Sequence, residues 1–76
     1  MPTIAEFDGI KICIYAADHA PPHFHILFAG QEALIRISDL SIAEGSIARG
    51  ALAKALAWAG DNQGLLALRW VQLNEE

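Results

Sequence analysis

The sequence has only one cysteine, Cys13, among its 76 residues, so no disulfide within the chain can stabilise the fold. A lone thiol is typical of a reducing compartment, and we expect a cytoplasmic protein. The first residues show no basic head followed by an apolar run, so we expect no signal peptide. No apolar run approaches the roughly 20 residues that a membrane-spanning helix needs, which predicts no membrane association.

Charged residues are also scarce, at 18% of the sequence against 54% apolar residues. The net charge is −4 and the five basic residues are scattered, which argues against a general binder of phosphate backbones. A chain of this length can build one hydrophobic core, so we predict a single domain over residues 1–76. An apolar domain this small commonly covers part of its surface with another subunit, and a homo-oligomer is therefore expected.

Apolar and polar residues alternate with a period of two through the first part of the chain, which predicts antiparallel strands. The strands are expected at residues 3–7, 10–15, 23–28, 32–37 and 40–44. Asp8-Gly9, between the first two strands, is a strong hairpin signal.

The period then changes to about 3.6, which is typical of helices. The pattern predicts a helix over residues 47–59 with Ser46 as its N-cap, then a breaker cluster over 60–64 and a second helix over 65–73. The expected apolar stripe of the first helix is Ala48, Leu52, Ala55, Leu56 and Ala59. Strands followed by helices predict an α+β fold, a small antiparallel β-meander sheet followed by one or two C-terminal helices packed on one face.

All three histidines lie within Asp18-His19-Ala20-Pro21-Pro22-His23-Phe24-His25. Side chains two residues apart on a strand share a face, so His23 and His25 should point away from Phe24. With Phe24 in the core, both imidazoles are expected to stand exposed on the outer face of the sheet. The same alternation places other reactive side chains on that face: Lys11, Cys13, Tyr15, Glu32 and Arg36.

The first interpretation of this face is a catalytic site that cleaves RNA without a metal ion. Two histidines can serve as general base and general acid near neutral pH. Arg36 or Lys11 can stabilise the negative charge that develops in the reaction. The candidate catalytic residues are Tyr15, Asp18, His19, His23, His25 and Arg36.

Two other interpretations remain open. His23 and His25 can bind a divalent metal ion, with His19 or Asp18 as the third ligand, because a His-x-His strand pair presents its nitrogens on one side. No organic cofactor is predicted. In the third interpretation the protein is a non-enzymatic interaction or regulatory module, and the histidines are half-buried polar residues that pack against a partner or hydrogen-bond the loop.

Several other residues are predicted to have structural roles. Cys13 is expected to pack as a small hydrophobic residue. Trp58 and Trp70 are expected to be core or interface anchors, since each lies at helical spacing from leucines. The last three residues, 74–76, are expected to fray.

Three blocks of the sequence carry a resemblance to a known family. They are Met1-Pro2-Thr3-Ile4 with Phe7-Asp8-Gly9-Ile10, the Asp-His-x-Pro-Pro-His-Phe-His motif of residues 18–25, and Glu32-Ala33-Leu34-Ile35 followed by Ala51-Leu52, Trp58-Ala59 and Trp70. In these blocks the chain resembles the small bacterial proteins grouped as domain of unknown function 4160. The sequence departs from that family at Arg36, where an acidic residue is common, and at Ala48-Arg49-Gly50, where the family usually has a proline and a basic pair.

The resemblance implies a function that the residues alone do not. Such proteins are often encoded beside a second small protein, in an arrangement similar to a toxin–antitoxin operon. The resemblance thus implies the toxin-like component of a bacterial type II pair, with an antitoxin-like partner and with RNA as the expected substrate of the histidines. The motif positions carried over are Asp18, His19, Pro21, Pro22, His23 and His25.

Overall fold

A computed structural model describes residues 3–16, 18 and 21–74. Within them, five antiparallel strands form one sheet in the order β1-β2-β3-β4-β5, and two helices follow. The elements are β1 (Thr3–Phe7), β2 (Ile10–Cys13), β3 (His23–Phe28), β4 (Gln31–Arg36), β5 (Ile42–Ser46), α1 (Arg49–Asp61) and α2 (Gln63–Asn74). The predicted α+β meander with C-terminal helices is therefore confirmed.

The predicted start of the first helix is wrong. Ser46 is not an N-cap, because it is the last residue of β5 and pairs with Glu32 on β4. The N-cap is Ala48, which has no side-chain capping bond. Its backbone N–H is instead satisfied by Oε1 of Gln31, at 3.0 Å. A side chain from the sheet thus replaces the local cap that the sequence suggested.

The predicted breaker cluster is also shorter than expected, since Asn62 alone separates the two helices. Its side-chain amide donates to the carbonyl of Trp58 at 2.8 Å, and its backbone N–H donates to the carbonyl of Ala59 at 3.1 Å. These bonds satisfy carbonyls at the end of α1 within a single residue. Gly60 and Gly64 are therefore helical, in α1 and α2 respectively.

The core lies between one face of the sheet and α1. Ala51, Ala55 and Ala59 recur every four residues along α1 and are buried. Their small side chains let the helix lie close to the isoleucines and Phe24 of the sheet. The predicted stripe is correct for Ala55 and Ala59, while Leu52 and Leu56 are only partly buried and Ala48 is exposed. The central core residues are Ile10, Ile12, Ile14, Phe24, Ile26 and Ile35.

The second helix completes the core with Leu66 and Trp70, which are both buried. Its other side leaves Leu65, Leu68 and Val71 exposed. Among the described residues, neither helix combines the length and the apolar character needed to cross a membrane.

Gly45→Ala is expected to destabilise the fold by at least about 2 kcal/mol. Gly45 has a φ of +76°, and a Cβ at this position would overlap the backbone carbonyl of Glu32 on β4. Gly30→Ala is the matched control, because Gly30 has a φ of +77° but nothing within 4 Å of the added Cβ. Urea unfolding should therefore show a larger loss for Gly45→Ala. Equal losses of unfolding free energy in the two variants would mean that β4 leaves room for a Cβ at residue 45.

Candidate metal centre

Strand β3 places the two histidines as the alternation predicted. Phe24, between them, is fully buried in the core, and the imidazoles lie on the opposite face. The strand register pairs His25 with Cys13 on β2 and with Leu34 on β4, and it pairs His23 with Arg36. The shared face predicted for these residues is thus correct.

The predicted exposure of the histidines is wrong: His23 is 3% exposed and His25 is 9% exposed. The ring of Trp70, on α2, lies 5.2 Å from the ring of His23. The ring of Tyr15 meets that of His25 edge-on at 4.4 Å. Aromatic side chains therefore cover the end of the outer face that carries the histidines. Lys11, which lies next to the turn between β1 and β2, is exposed.

One carboxylate oxygen bridges the two imidazoles. Oδ2 of Asp18 lies 3.0 Å from Nε2 of His23 and 3.1 Å from Nε2 of His25. The Asp18 side chain is 15% exposed, and the two imidazole rings are 5.1 Å apart. The sequence placed these three residues in one site, and the structure brings them together.

The other nitrogen of each ring is also bonded, and its partner identifies the tautomer. Nδ1 of His23 lies 2.8 Å from the backbone carbonyl oxygen of Pro21. A carbonyl can only accept, so this Nδ1 carries a hydrogen. Nδ1 of His25 lies 2.8 Å from Oε2 of Glu32, an ionised carboxylate that likewise accepts.

Both Nδ1 atoms therefore donate, and in neutral imidazoles both Nε2 lone pairs face the oxygen of Asp18. Three acceptor atoms then converge, and they repel one another unless a positive charge lies between them. Two extra protons, one on each ring, supply that charge. A metal cation also supplies it, and the Asp18, His23 and His25 ligand atoms all lie within 4.8 Å of one another.

The outer bonds match those of metal-binding histidines. A ligating imidazole characteristically donates its other N–H to a carboxylate or a backbone carbonyl, which fixes the ring and its tautomer. Glu32 and Pro21 supply one partner of each kind. Two imidazoles and one carboxylate are also the protein ligands of many zinc sites and of non-haem iron sites.

Arg36, another predicted site residue, is engaged elsewhere. Nη1 of Arg36 donates to Oγ of Ser41 at 3.0 Å, and that hydroxyl donates to Asp39 at 2.7 Å. Bonds from Ser41 hold the pKa of Asp39 below its usual value of 3.8. Cys13 is fully buried with its Sγ 4.0 Å from Oγ1 of Thr3, and it is not one of the converging atoms. His19 lies outside the described residues, so its predicted role stays a prediction.

Tyr15 titrates above its normal range. Burial raises the pKa of its phenol above the usual value of 10.0, and the charges of Cys13, Glu32 and Asp18 add to the effect. The folded state thus holds this proton more tightly than the unfolded state. Its contribution to stability is complete below pH 10 and is lost as the pH rises through the folded pKa.

Because Tyr15 is the only tyrosine, tyrosinate absorbance follows it alone. The folded protein should titrate above pH 10, and the protein unfolded in denaturant should titrate near 10. Glu32→Gln should lower the folded midpoint by removing a nearby negative charge. Identical midpoints for folded and unfolded protein would contradict the placement of this side chain.

Sequence reasoning missed three contributors to the site. Glu32 was placed on the outer face, but its bond to His25 runs diagonally between strands and follows from no local pattern. Trp70 and Asn74 come from α2, far along the chain. Asn74, which was expected to fray, instead ends α2 and bonds to the segment that carries Asp18. Glu75 and Glu76 lie outside the described residues.

Comparison with known proteins identifies a family. A family model described as Domain of unknown function (DUF4160) matches residues 9–74, a range that contains the whole histidine motif. No curated protein and no solved structure matches the chain.

Proposed function

Since the chain belongs to the family described as Domain of unknown function (DUF4160), whose description names no activity, we propose a function from the site itself. The protein binds one divalent transition-metal ion through Oδ2 of Asp18 and Nε2 of His23 and His25. The observation that carries this proposal is the direction of the imidazoles. Each donates through Nδ1 to a fixed acceptor and presents Nε2 to the same carboxylate oxygen.

The spacing of the ligand atoms suits zinc. Tetrahedral Zn²⁺ bonded at about 2.0–2.1 Å holds neighbouring ligand atoms roughly 3.3 Å apart. The two nitrogen–oxygen distances here, 3.0 and 3.1 Å, are within a few tenths of an ångström of that spacing, and the three ligand atoms all lie within 4.8 Å of one another. Among the described residues three side chains supply ligand atoms, and tetrahedral zinc takes a fourth ligand from water or from another group.

Charge balance supports a cation at this place. Asp18 and Glu32 are both bonded to the buried histidines. A doubly charged ion neutralises the two carboxylates and leaves both imidazoles neutral. Glu32 is 47% exposed and stays solvated, whereas Asp18 is only 15% exposed, and an ionised group so poorly solvated is costly unless it is paired or coordinates a metal.

The acid–base cleavage of RNA by a toxin-like protein is the second candidate. Its support is that Asp18 contacts both imidazoles, as a carboxylate that orients a catalytic base does. It ranks below metal binding because both rings are buried and each Nδ1 is already bonded to a fixed acceptor. With this candidate we also propose a cytoplasmic location. We further propose that the protein binds an antitoxin-like partner and a second copy of itself.

The metal proposal is tested with protein purified without a histidine tag. Elemental analysis should find one zinc or iron per chain, and competition with a chromophoric chelator should give the affinity. Asp18→Asn removes the ligand charge at constant shape and should weaken binding at least about 100-fold. Asp39→Asn, the same change in an exposed turn, should leave the affinity unchanged. Equal affinities for wild type and Asp18→Asn would refute the site.

Expression experiments with the same variants test the second candidate, acid–base cleavage of RNA. Induced expression should be compared for the wild type, Asp18→Asn and the double variant His23→Ala with His25→Ala. Growth arrest and RNA cleavage by the metal-free wild type, both lost in the double variant, would favour the acid–base reaction over metal binding. Arrest that persists in the double variant would exclude that reaction at these histidines.

A further inference from the structure

The last residue of α2 is bonded to the segment that supplies the carboxylate ligand. Oδ1 of Asn74 accepts a hydrogen bond from the backbone N–H of Asp18 at 2.6 Å. Its Nδ2 donates to the backbone carbonyl of Tyr15 at 3.1 Å and to that of Trp70 at 3.3 Å. One side chain thus joins the C-terminal end of the second helix to two points of the segment between β2 and β3.

The same side of α2 contacts a second ligand. Leu66, Trp70 and Asn74 recur every four residues and share one face of the helix. Leu66 is fully buried, Trp70 lies against the His23 ring, and Asn74 reaches Asp18. Two of the three proposed metal ligands are therefore in contact with one face of α2.

The orientation of α2 also favours a cation. Its C-terminal end, at Asn74, is the end next to Asp18. The carbonyl groups at the C-terminus of a helix carry a partial negative charge, which attracts positive charge nearby. Docking of α2 and occupation of the site therefore support each other electrostatically as well as through contacts.

We infer that Asn74 is a positioning residue for the Asp18 ligand, and that metal binding and the docking of α2 onto the sheet are coupled. The inference rests on the proposed metal site. Linkage makes the coupling reciprocal, so whatever holds α2 in place tightens metal binding, and metal binding holds α2 in place. Only Leu66 and Trp70 of this helix are buried, so its docking depends on few contacts and responds to a modest added free energy.

Zinc affinity of matched variants tests the positioning role. Asn74→Ala should weaken binding about 10-fold, in the range seen when the partner of a ligand is removed. Asn62→Ala removes the corresponding bond at the end of α1, from the side-chain amide to the carbonyl four residues earlier, and should change the affinity less than twofold. Equal affinities for Asn74→Ala and the wild type would overturn the inference.

A conservative variant separates positioning from helix capping. Asn74→Asp keeps an oxygen that accepts from Asp18 N–H but loses both donations, so it should recover most of the affinity. Gln72→Glu, which adds the same charge at an exposed position of α2, should not strengthen binding to that extent. If Asn74→Asp binds as weakly as Asn74→Ala, the bond from Asp18 N–H does not position the ligand and the inference is wrong.

Hydrogen exchange of the wild-type protein tests the coupling without any substitution. Zinc should slow exchange in residues 63–74 more than in residues 49–61. Equal slowing of both helices would contradict the coupling and leave the metal site standing. Absence of zinc binding by the wild type would instead remove the proposed function and the coupling together.

Discussion

Zn²⁺ at about 100 times its dissociation constant is expected to raise the thermal unfolding midpoint of the wild-type protein by about 10–20 °C. A ligand that binds only the folded state at this concentration stabilises it by about 2.7 kcal/mol. In a domain of this size, each kcal/mol moves the midpoint by about 4–8 °C. The shift should be large because the folded protein fixes both imidazoles through bonds to Pro21 and to Glu32 on the neighbouring strand, which the unfolded chain lacks.

The control for this shift is Asp18→Asn. Its side-chain amide can donate to an Nε2 lone pair, so the metal-free variant should unfold near the midpoint of the metal-free wild type. Zinc should then move its midpoint by less than about 3 °C, since weaker binding gives less stabilisation at the same zinc concentration. A shift as large as that of the wild type would place the metal elsewhere in the protein. Differential scanning fluorimetry with and without a chelator measures both midpoints.

Trp70→Ala is expected to cost about 3–5 kcal/mol of unfolding free energy. Trp70 is 3% exposed, belongs to the same core cluster as Leu66 and lies against the ring of His23. Its removal leaves a cavity between α2 and the sheet, which neighbouring side chains can fill only in part. The loss is comparable to the whole stability of many small domains, about 5–15 kcal/mol, so a substantial unfolded fraction is expected without denaturant.

Trp58→Ala is the matched substitution in α1. Trp58 is only partly buried and contacts Phe7, with ring centroids 6.2 Å apart, at the edge of the sheet. We expect it to cost about 1–2 kcal/mol, less than the cost at Trp70. Urea unfolding followed by circular dichroism gives both values. The reverse order would show that α2, and with it the cover over His23, contributes little to the fold.

The faces of the strands could be predicted from the sequence because a strand encodes its faces in its own residues. His23, Phe24 and His25 alternate across the sheet whatever packs on either side. Burial of the two histidines could not be predicted in this way. For His23 it depends on Trp70, whose position relative to β3 is set by the packing of α2 and by no pattern near residue 23. For His25 it depends on Tyr15, whose ring meets the imidazole edge-on.

The errors at element ends have a similar origin. Ser46 is a good N-cap in isolation, but pairing with Glu32 extends β5 through it and moves the helix start beyond Ala48. Asn74 is near the end of the sequence, where fraying is the ordinary expectation. Its bonds to Asp18 and Tyr15 hold it in place, and both partners are remote in sequence.

The sequence predicted which residues form the site but not how their side chains are oriented. Asp18, His23 and His25 were among the candidate residues, and both a catalytic and a metal interpretation were open. Our proposal of a metal site rests on which ring nitrogen faces Asp18. That choice is made by Pro21 and by Glu32, whose contacts with the imidazoles depend on the folded backbone.

The most direct test of the metal site is ¹⁵N NMR of the imidazoles in protein loaded with ¹¹³Cd²⁺, a spectroscopic substitute for zinc. We expect His23 and His25 each to carry hydrogen on Nδ1 and to show a ¹¹³Cd coupling to Nε2. Loss of both couplings in Asp18→Asn would complete the assignment of the three ligands. Hydrogen on Nε2 of either residue, or coupling through Nδ1, would contradict the proposed centre.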